Sequence, residues 1–364
     1  MLQLAACTLL LLVSIEGLTV FPRTRSIAMS LTREPSLKER VADTLISGVF
    51  QIKPLFNMAR QKARDSMVDR GSKIGVDWSK NIQSYNADMT ELEQTFNLLS
   101  KTISYPDYYL QPFHAYEEGN LSWQAAMEVE SAAVTVHAQI YAPPDELDPQ
   151  GDFTLRDRFH QNMRQLLGMG QGQGQGQGQS VGFSPRRVLD IGCSTGLSTL
   201  KLHETFPEAE VVGLDLSPHM LAVAKYQLGR GDITPEARDA RQRISYTHGA
   251  GESTSMAKGD VDLVSLSLVS HELPQAATQE ILREAYRILP PNGAIAIMDM
   301  DPESPAFQRV AGNPFAFAAF KSTEPWIREY MSLDLYATLR SCGFTDVRVL
   351  ANSPRHRTVV AFKK

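Results

Sequence analysis

Two carboxylates stand where chemistry could be done. Asp190 sits inside "VLDIGCSTGLST" (residues 188–199), just before a turn framed by Gly192 and Gly196, and Asp215 closes the run "EVVGLD" 25 residues later. A glycine turn that leads from a strand into a helix lets a ligand approach the backbone, and in most such turns the ligand is a phosphate held at the helix N-terminus. The dinucleotide pattern G-x-G-x-x-G is not met here, because Gly192, Ser194 and Gly196 give G-x-S-x-G and Leu197 stands where the third glycine belongs. A phosphate loop would need a lysine after the last glycine, where the chain has Leu197 and Ser198. A carboxylate beside the turn repels a pyrophosphate and attracts a cation. A helix-capping role would explain either acid alone; the pair, at this spacing and behind two strands, favours a ligand.

S-adenosylmethionine carries a sulfonium and an ammonium group on a ribose, and it fits this pattern. Asp190 suits its positive end, and Asp215 can accept from both ribose hydroxyls in charge-assisted bonds of about 1.5–3 kcal/mol each.

The elements that must hold these acids are readable. After residue 183 the runs "RVLDI", "EVVGLD", "ISYTH", "VDLVSLSL" and "AIAIMDM" predict five parallel strands, and Ile281, Leu282, Ala285, Ile288 and Leu289 mark the buried face of the helix before the last of them. "VRVLA" and "RTVVAFK" lie too close together for a helical crossover and predict an antiparallel pair. The fold class is therefore α/β, a doubly wound sheet. Upstream, residues 34–167 read as a helical unit that caps the site. It begins with a capping box at Ser36 and Glu39, has a helix opened by Pro54 and closed by Gly71, and continues with helices around "DMTELEQTFNLLS", "SWQAAMEVESAAVTVHAQIY" and "FTLRDRFHQNMRQLL". Residues 168–180 hold "GQGQGQGQGQ", a flexible tether without chemistry that reaches roughly 17 Å, and the sheet domain occupies 181–364.

"VLDIGCSTG", "VVGLDLSPHMLAVAK" and "ILREAYRILPPNGAIAIMD" resemble a class I S-adenosylmethionine-dependent methyltransferase of the type-11, ubiquinone/menaquinone-biosynthesis-like kind over residues 185–300. The resemblance implies a seven-stranded Rossmann-like sheet with its last strand reversed, methyl transfer as the activity, S-adenosylmethionine as cofactor and a small-molecule acceptor. It places Asp190, Gly192, Cys193, Ser194, Gly196, Asp215 and Leu216 around the cofactor. Two departures stand out: Ser194 replaces the middle glycine, and "HGAGES" has Ala250 where such enzymes carry the acid that meets adenine, so that role passes to the Gly251 amide or to Glu252. "YPDYYLQPFHAYEEGNLSWQAA", "FKSTEPWIREY" and "SPRHRTVVA" are similar to a group of chloroplast-targeted methyltransferases of plants and algae.

Methyl transfer is an in-line displacement that needs positioning more than a nucleophilic side chain. A base is required only where the acceptor must lose a proton, and His271, just after the fourth strand, is the first candidate, against a structural, capping role. "HELPQ" has Gln275 where a zinc motif needs histidine, so no metal is expected. Tyr105, Tyr108, Tyr109, Phe113, His114, Tyr116 and Trp123 crowd one stretch; they form either a wall over a flat apolar acceptor, with His114 or Tyr116 as polar contacts, or glue between the two units. Arg355, His356 and Arg357 could face an anionic substrate, but as a charge cluster in a hairpin they are expected to meet solvent. The acceptor is thus a small lipophilic or aromatic molecule, and a lipophilic one brings weak membrane association. The rival readings are a non-catalytic module that binds the same cofactor and a nicotinamide-dependent oxidoreductase.

Composition agrees. The 364 residues carry a net charge of -5, which gives no general attraction to nucleic acid, and only three cysteines, too few for a disulfide framework. "LAACTLLLLVSI" reads as a signal-peptide core, and the acid-free, arginine-containing stretch after it as a transit peptide headed by Phe21. Residues 1–33 are therefore expected to be a plastid presequence, bipartite or simple.

Overall fold

Apolar runs bounded by polar turns become strands here because helices cover both of their faces. The computed structural model of the chain describes residues 53–114, 116–143, 145–169, 183–230, 241–313, 317, 320–321 and 323–364. The presequence, the Ser36–Glu39 capping box and the Gly-Gln tether lie outside the described residues. The strands are β1 (Arg187–Ile191), β2 (Glu210–Asp215), β3 (Ile244–His248), β4 (Leu263–Ser267), β5 (Ala294–Met300), β6 (Thr345–Ala351) and β7 (His356–Phe362). They form one seven-stranded sheet in the order β3-β2-β1-β4-β5-β7-β6. β1 to β5 are mutually parallel, and β7 runs antiparallel to both β5 and β6. This is the α/β fold with a reversed last strand that the sequence implies. The chain order switches direction at β1, flanked by β2 and β4, and the crevice at the carboxyl ends of strands at such a switch is where open α/β sheets take ligands.

Helices α1 (Lys53–Lys73), α2 (Trp78–Ala87), α3 (Met89–Leu99), α4 (Trp123–His137) and α5 (Gly151–Leu166) precede the sheet. α6 (Leu197–Thr205), α7 (Pro218–Gly229) and α8 (Gln275–Ile288) connect its parallel strands, and α9 (Pro305–Gly312), α10 (Ile327–Ser332) and α11 (Leu335–Ser341) fall between β5 and β6. On one face Ile281, Leu282, Ala285 and Ile288 of α8 join Leu335 and Leu339 of α11 against Leu189, Val264, Leu266 and Ile297. Each such side chain contributes about 1.5–3 kcal/mol by leaving water.

The opposite face corrects one sequence-based boundary. Leu155, Phe159, Met163 and Leu166 recur along α5 at helical spacing and pack with Leu202 against Val188, Val211, Leu263 and Ala296. By packing, α5 is a layer of the sheet domain, although the sequence grouped it with the helical cap. The cap proper docks through Tyr85, Leu92, Ala125 and Ala126 onto Met220, Val223 and Tyr226 of α7. Nor does Gly71 close a helix, since α1 runs through it to Lys73. A Cβ at Gly71 would stand 2.9 Å from Thr135 Oγ1, so the glycine serves the close approach of α1 to α4.

Candidate active site

The turn after β1 is tied to the end of β2. Gly192 and Cys193 amides both donate to the Leu214 carbonyl, at 2.8 and 3.1 Å, and the Ser194 amide donates to Asp215 Oδ2 at 2.8 Å. Ser194 holds φ at +49°, the left-handed region that favours glycine, at a cost of about 1–2 kcal/mol. Its amide bond to Asp215 offsets that cost. Gly196, at φ +87°, could be nothing else: a Cβ there would fall 2.1 Å from the Tyr246 hydroxyl. Cys193 is buried, and burial pushes its thiol well above the ordinary value, so it stays protonated and packs rather than reacts.

The two sequence-predicted acids take different places. Asp215 lines a cavity of about 910 Å³, together with Gly192, Cys193, Ser194, Leu216, Gly251 and Glu252. Asp215 Oδ1 accepts from the Ser217 amide at 2.8 Å and from the Tyr109 hydroxyl at 3.4 Å. Asp190, by contrast, is wholly buried and absent from the cavity wall. Its Oδ2 accepts from Ser198 Oγ at 2.6 Å and Thr199 Oγ1 at 2.8 Å, which fixes the first turn of α6. Burial pushes this carboxyl up to about 6, with those two hydroxyls pulling the other way. The direct grip on an amine expected of Asp190 is therefore corrected to a position beneath the turn, with Oδ1 left as a buried acceptor that has no donor among the described residues. Glu252 holds a second such acceptor: Oε1 takes the Tyr108 hydroxyl at 2.5 Å, and Oε2 is buried without a partner among the described residues.

The aromatic stretch divides between the two roles that the sequence left open. Tyr108, Tyr109, Phe113, His114 and Tyr116 line the cavity. Tyr105 shares a hydrogen bond with His248 Nε2 at 3.2 Å, and Trp123 packs on Phe96 and His219 outside it. Three tyrosine hydroxyls thus roof the carboxyl ends of β2 and β3. Tyr116 donates to Glu128 at 3.1 Å, and Arg64 pairs with the other oxygen of Glu128 at 2.6 Å. Burial, then the Glu128 charge, keeps Tyr116 a protonated phenol.

Across the cavity lies a cluster that only the fold assembles. His271, on the short 3-10 turn Ser270–Glu272 after β4, pairs through Nδ1 with Asp299 of β5 at 2.7 Å, and its amide donates to the same carboxylate. His114 reaches Glu324 at 2.9 Å and Glu272 at 3.8 Å. Burial would lower the His271 pKa, but Asp299, Glu324 and Glu272 outweigh it and raise it to about 10. His114 is likewise raised, with burial outweighed by Glu324. His271 therefore carries its proton at neutral pH and serves as a cation and donor; the base role expected of it does not match this electrostatic setting. Glu272 lines the cavity beside it, and burial raises its carboxyl above the ordinary range, against the pull of His114 and His271.

The sequence missed Glu272, Glu324 and Asp299. Asp299 had a local signal, a carboxylate inside the wholly buried strand "AIAIMDM", which must find a partner. Glu324 had none. The hairpin cluster is also corrected, since His356 and Arg357 are buried and Arg355 and His356 line the cavity rather than meeting solvent.

A parallel sheet with a reversed strand thus presents a glycine turn and an acid at the tip of its second strand to one cavity. The methyltransferase domain model matches residues 188–293. An uncharacterized methyltransferase of Synechocystis sp. is 31% identical over 172 residues, which are 46% of this chain and 72% of that protein. The demethylmenaquinone methyltransferase of Lactococcus lactis is 28% identical over 181 residues, 48% of this chain and 66% of that protein. The trans-aconitate 2-methyltransferase of Methylobacterium nodulans is 31% identical over 189 residues, 49% of this chain and 66% of that protein. The chain belongs to the S-adenosylmethionine-dependent methyltransferases, and S-adenosylmethionine is its cofactor.

The residues present fit that cofactor. Its adenine amino group is an N–H donor, and Glu252 Oε2, on a residue that lines the cavity, is a buried acceptor that lacks a donor among the described residues. Asp215 and the 192–195 turn line the same cavity and would hold the ribose and the methionine moiety.

Proposed function

We propose that the protein methylates a small, largely apolar or aromatic acceptor. The observation that carries this reading is the cavity itself: about 910 Å³, lined by the glycine turn and Asp215 and also by Tyr108, Phe113, Val269, Phe307 and Phe320. Small-molecule sites run to about 300–1,000 Å³, so there is room for a nucleoside with an acceptor beside it. Relatives named for demethylmenaquinone and for trans-aconitate leave the acceptor open, and the ring-rich wall supports the former chemistry for the body of the molecule.

When bound, the cofactor supplies a methyl group already activated by its sulfonium. The chain's own task is to orient the acceptor in line with that group and keep water out, which the tyrosine roof does. Where the acceptor must lose a proton, Glu272 accepts it. His271, fixed by Asp299, and His114, fixed by Glu324, stabilise the charge that forms nearby. Plastid targeting by residues 1–33 is part of the same proposal and supplies the pool to search.

Incubation of the purified chain with methyl-labelled S-adenosylmethionine and a plastid quinone and pigment extract tests it. Label in one apolar product, lost in Asp215→Ala, supports the reading. Cofactor binding without label in any fraction would reduce the protein to a binding module.

A further inference from the structure

Residues 101–109 cross the carboxyl ends of β2 and β3 on hydrogen bonds of two kinds. The first kind is a tether outside the cavity. The Lys101 amide donates to His248 Nδ1 at 2.8 Å, which leaves the ring proton on Nε2, shared at 3.0 Å with the Leu216 carbonyl and at 3.2 Å with the Tyr105 hydroxyl. Neither Tyr105 nor His248 lines the cavity. The second kind lies inside it. On the short 3-10 turn Asp107–Leu110, Tyr108 donates to Glu252 Oε1 at 2.5 Å and Tyr109 to Asp215 Oδ1 at 3.4 Å. Two consecutive residues of the cap thus reach the two acids assigned above to adenine and to ribose, and all four side chains belong to the cavity wall. Burial, then the acid that each one faces, holds both phenols above their ordinary value, so each remains a donor.

A tether needs only the first kind. A carboxylate held through one oxygen presents the other in a fixed direction, and in Glu252 the oxygen that Tyr108 leaves free is the buried Oε2, which has no donor among the described residues. In Asp215 the Ser194 and Ser217 amides take one oxygen each, and Tyr109 adds a third donor from the cap. A polar site refuses the wrong ligand only if its acceptor is unable to turn away from the mismatch, so the residues that lock the acceptor carry part of the discrimination. We infer that Tyr108 and Tyr109 are positioning residues for nucleoside recognition: Tyr108 fixes Glu252 so that a 6-amino purine is accepted and a 6-oxo purine refused, and Tyr109 fixes Asp215 on the ribose diol. The 6-oxo group would set a second acceptor against Oε2 in place of an N–H donor, which leaves both unsatisfied. The inference rests on S-adenosylmethionine as cofactor and on the assignment of Glu252 and Asp215 to its adenine and its ribose. It gives the cap a part in choosing the nucleoside as well as the acceptor.

The test is calorimetric titration of the full chain with three probes: S-adenosylhomocysteine, its 6-oxo analogue S-inosylhomocysteine, and its 2′-deoxy analogue. The parent should bind the first at least about tenfold tighter than either analogue, the fold-change of a single charge-assisted bond. Tyr108→Phe should reduce the amino-over-oxo ratio at least about threefold and leave the ribose-over-deoxyribose ratio alone, and Tyr109→Phe should do the reverse. Tyr105→Phe, which removes a bond of the same chemistry from the tether, should leave both ratios at the parent's values. Each variant keeps its ring; if Tyr109→Phe fails to fold, Tyr108→Phe alone decides. Weakening of all three probes by one common factor is what a merely structural tyrosine would give, and it overturns the inference, as does a parent that binds the three alike. Glu252→Gln separates the inference from the assignment beneath it. If the amino-over-oxo ratio survives that change, the adenine assignment falls and the inference with it; if the ratio is lost there but persists in Tyr108→Phe, the role of the tyrosine alone is refuted. A parent that binds none of the three overturns the inference together with the methyltransferase reading.

Discussion

Replacing Asp215 by alanine separates what this carboxylate does for the protein from what it does for the ligand. In the structure Oδ2 takes the Ser194 amide and Oδ1 the Ser217 amide, both at 2.8 Å, so the substitution leaves two N–H donors without their acceptors. Each such loss costs about 1–3 kcal/mol, so the melting temperature should fall. The remaining lone pairs are the ones a ribose diol would use. Losing two bonds to a charged acceptor should weaken S-adenosylhomocysteine binding by about 2–3 kcal/mol, roughly 30- to 150-fold. Isothermal titration calorimetry reads the second effect and differential scanning fluorimetry the first. Asp215→Asn, which keeps one carbonyl acceptor, should fall between the two proteins in both. Burial raises the Asp215 pKa against the two amides, so affinity for the nucleoside should begin to fail at a higher pH than an exposed aspartate would allow. An affinity within about threefold of the parent, in a variant that has lost stability as calculated, would refute the assignment: two bonds of that size cannot vanish into so small a change.

Asp190→Asn should be more stable than the parent at pH 7.5 by about 1–3 kcal/mol and bind S-adenosylhomocysteine more weakly; the rise of the buried carboxyl from 3.8 to about 6 corresponds to about 3 kcal/mol. Because the folded pKa is the higher one, Asp190 makes parent stability decline as pH rises through that interval, and the variant should lack that part of the decline in a melting series. The His271–Asp299 pair behaves in the opposite region: with the folded His271 pKa near 10, its stabilisation is complete below 6.5 and lost as pH rises through about 10. Asp299→Asn should remove that alkaline slope, and its persistence would show that the slope has another source. Glu272→Gln should lower kcat by about 10²–10⁴ on an acceptor that loses a proton, erase the rise in rate near pH 7, and leave the S-adenosylhomocysteine Kd alone.

The sheet was legible because its strands are buried on both faces, which turns each into a short apolar run with sharp edges; β1, β2, β3 and β5 coincide with the runs quoted from the sequence. α5 was misplaced because its Leu155, Phe159, Met163 and Leu166 stripe says that it packs, but not against what. That the turn, Asp215 and Glu252 share one edge of the sheet was legible for a similar reason, since they lie close to strand ends that could be counted. Asp190 was read as a ligand contact because sequence cannot show that Ser198 and Thr199 already claim it. The acceptor half was mostly illegible. Glu324 and His114 meet only after two separate segments fold over one opening, and no local spacing encodes that meeting. His271 was found by position, but its charge state depends on Asp299, a strand away.

β7 follows β6 in the chain yet lies between β6 and β5, so the terminal hairpin joins the sheet through its second strand and leaves its first at the edge. The same hairpin brings Arg355 to the cavity, whereas the turn and acid that face the nucleoside belong to β1 and β2. The two halves of the opening therefore rest on different parts of the sheet: the wall beside the glycine turn on β1 and β2, and part of the remaining wall on the turn of the terminal hairpin.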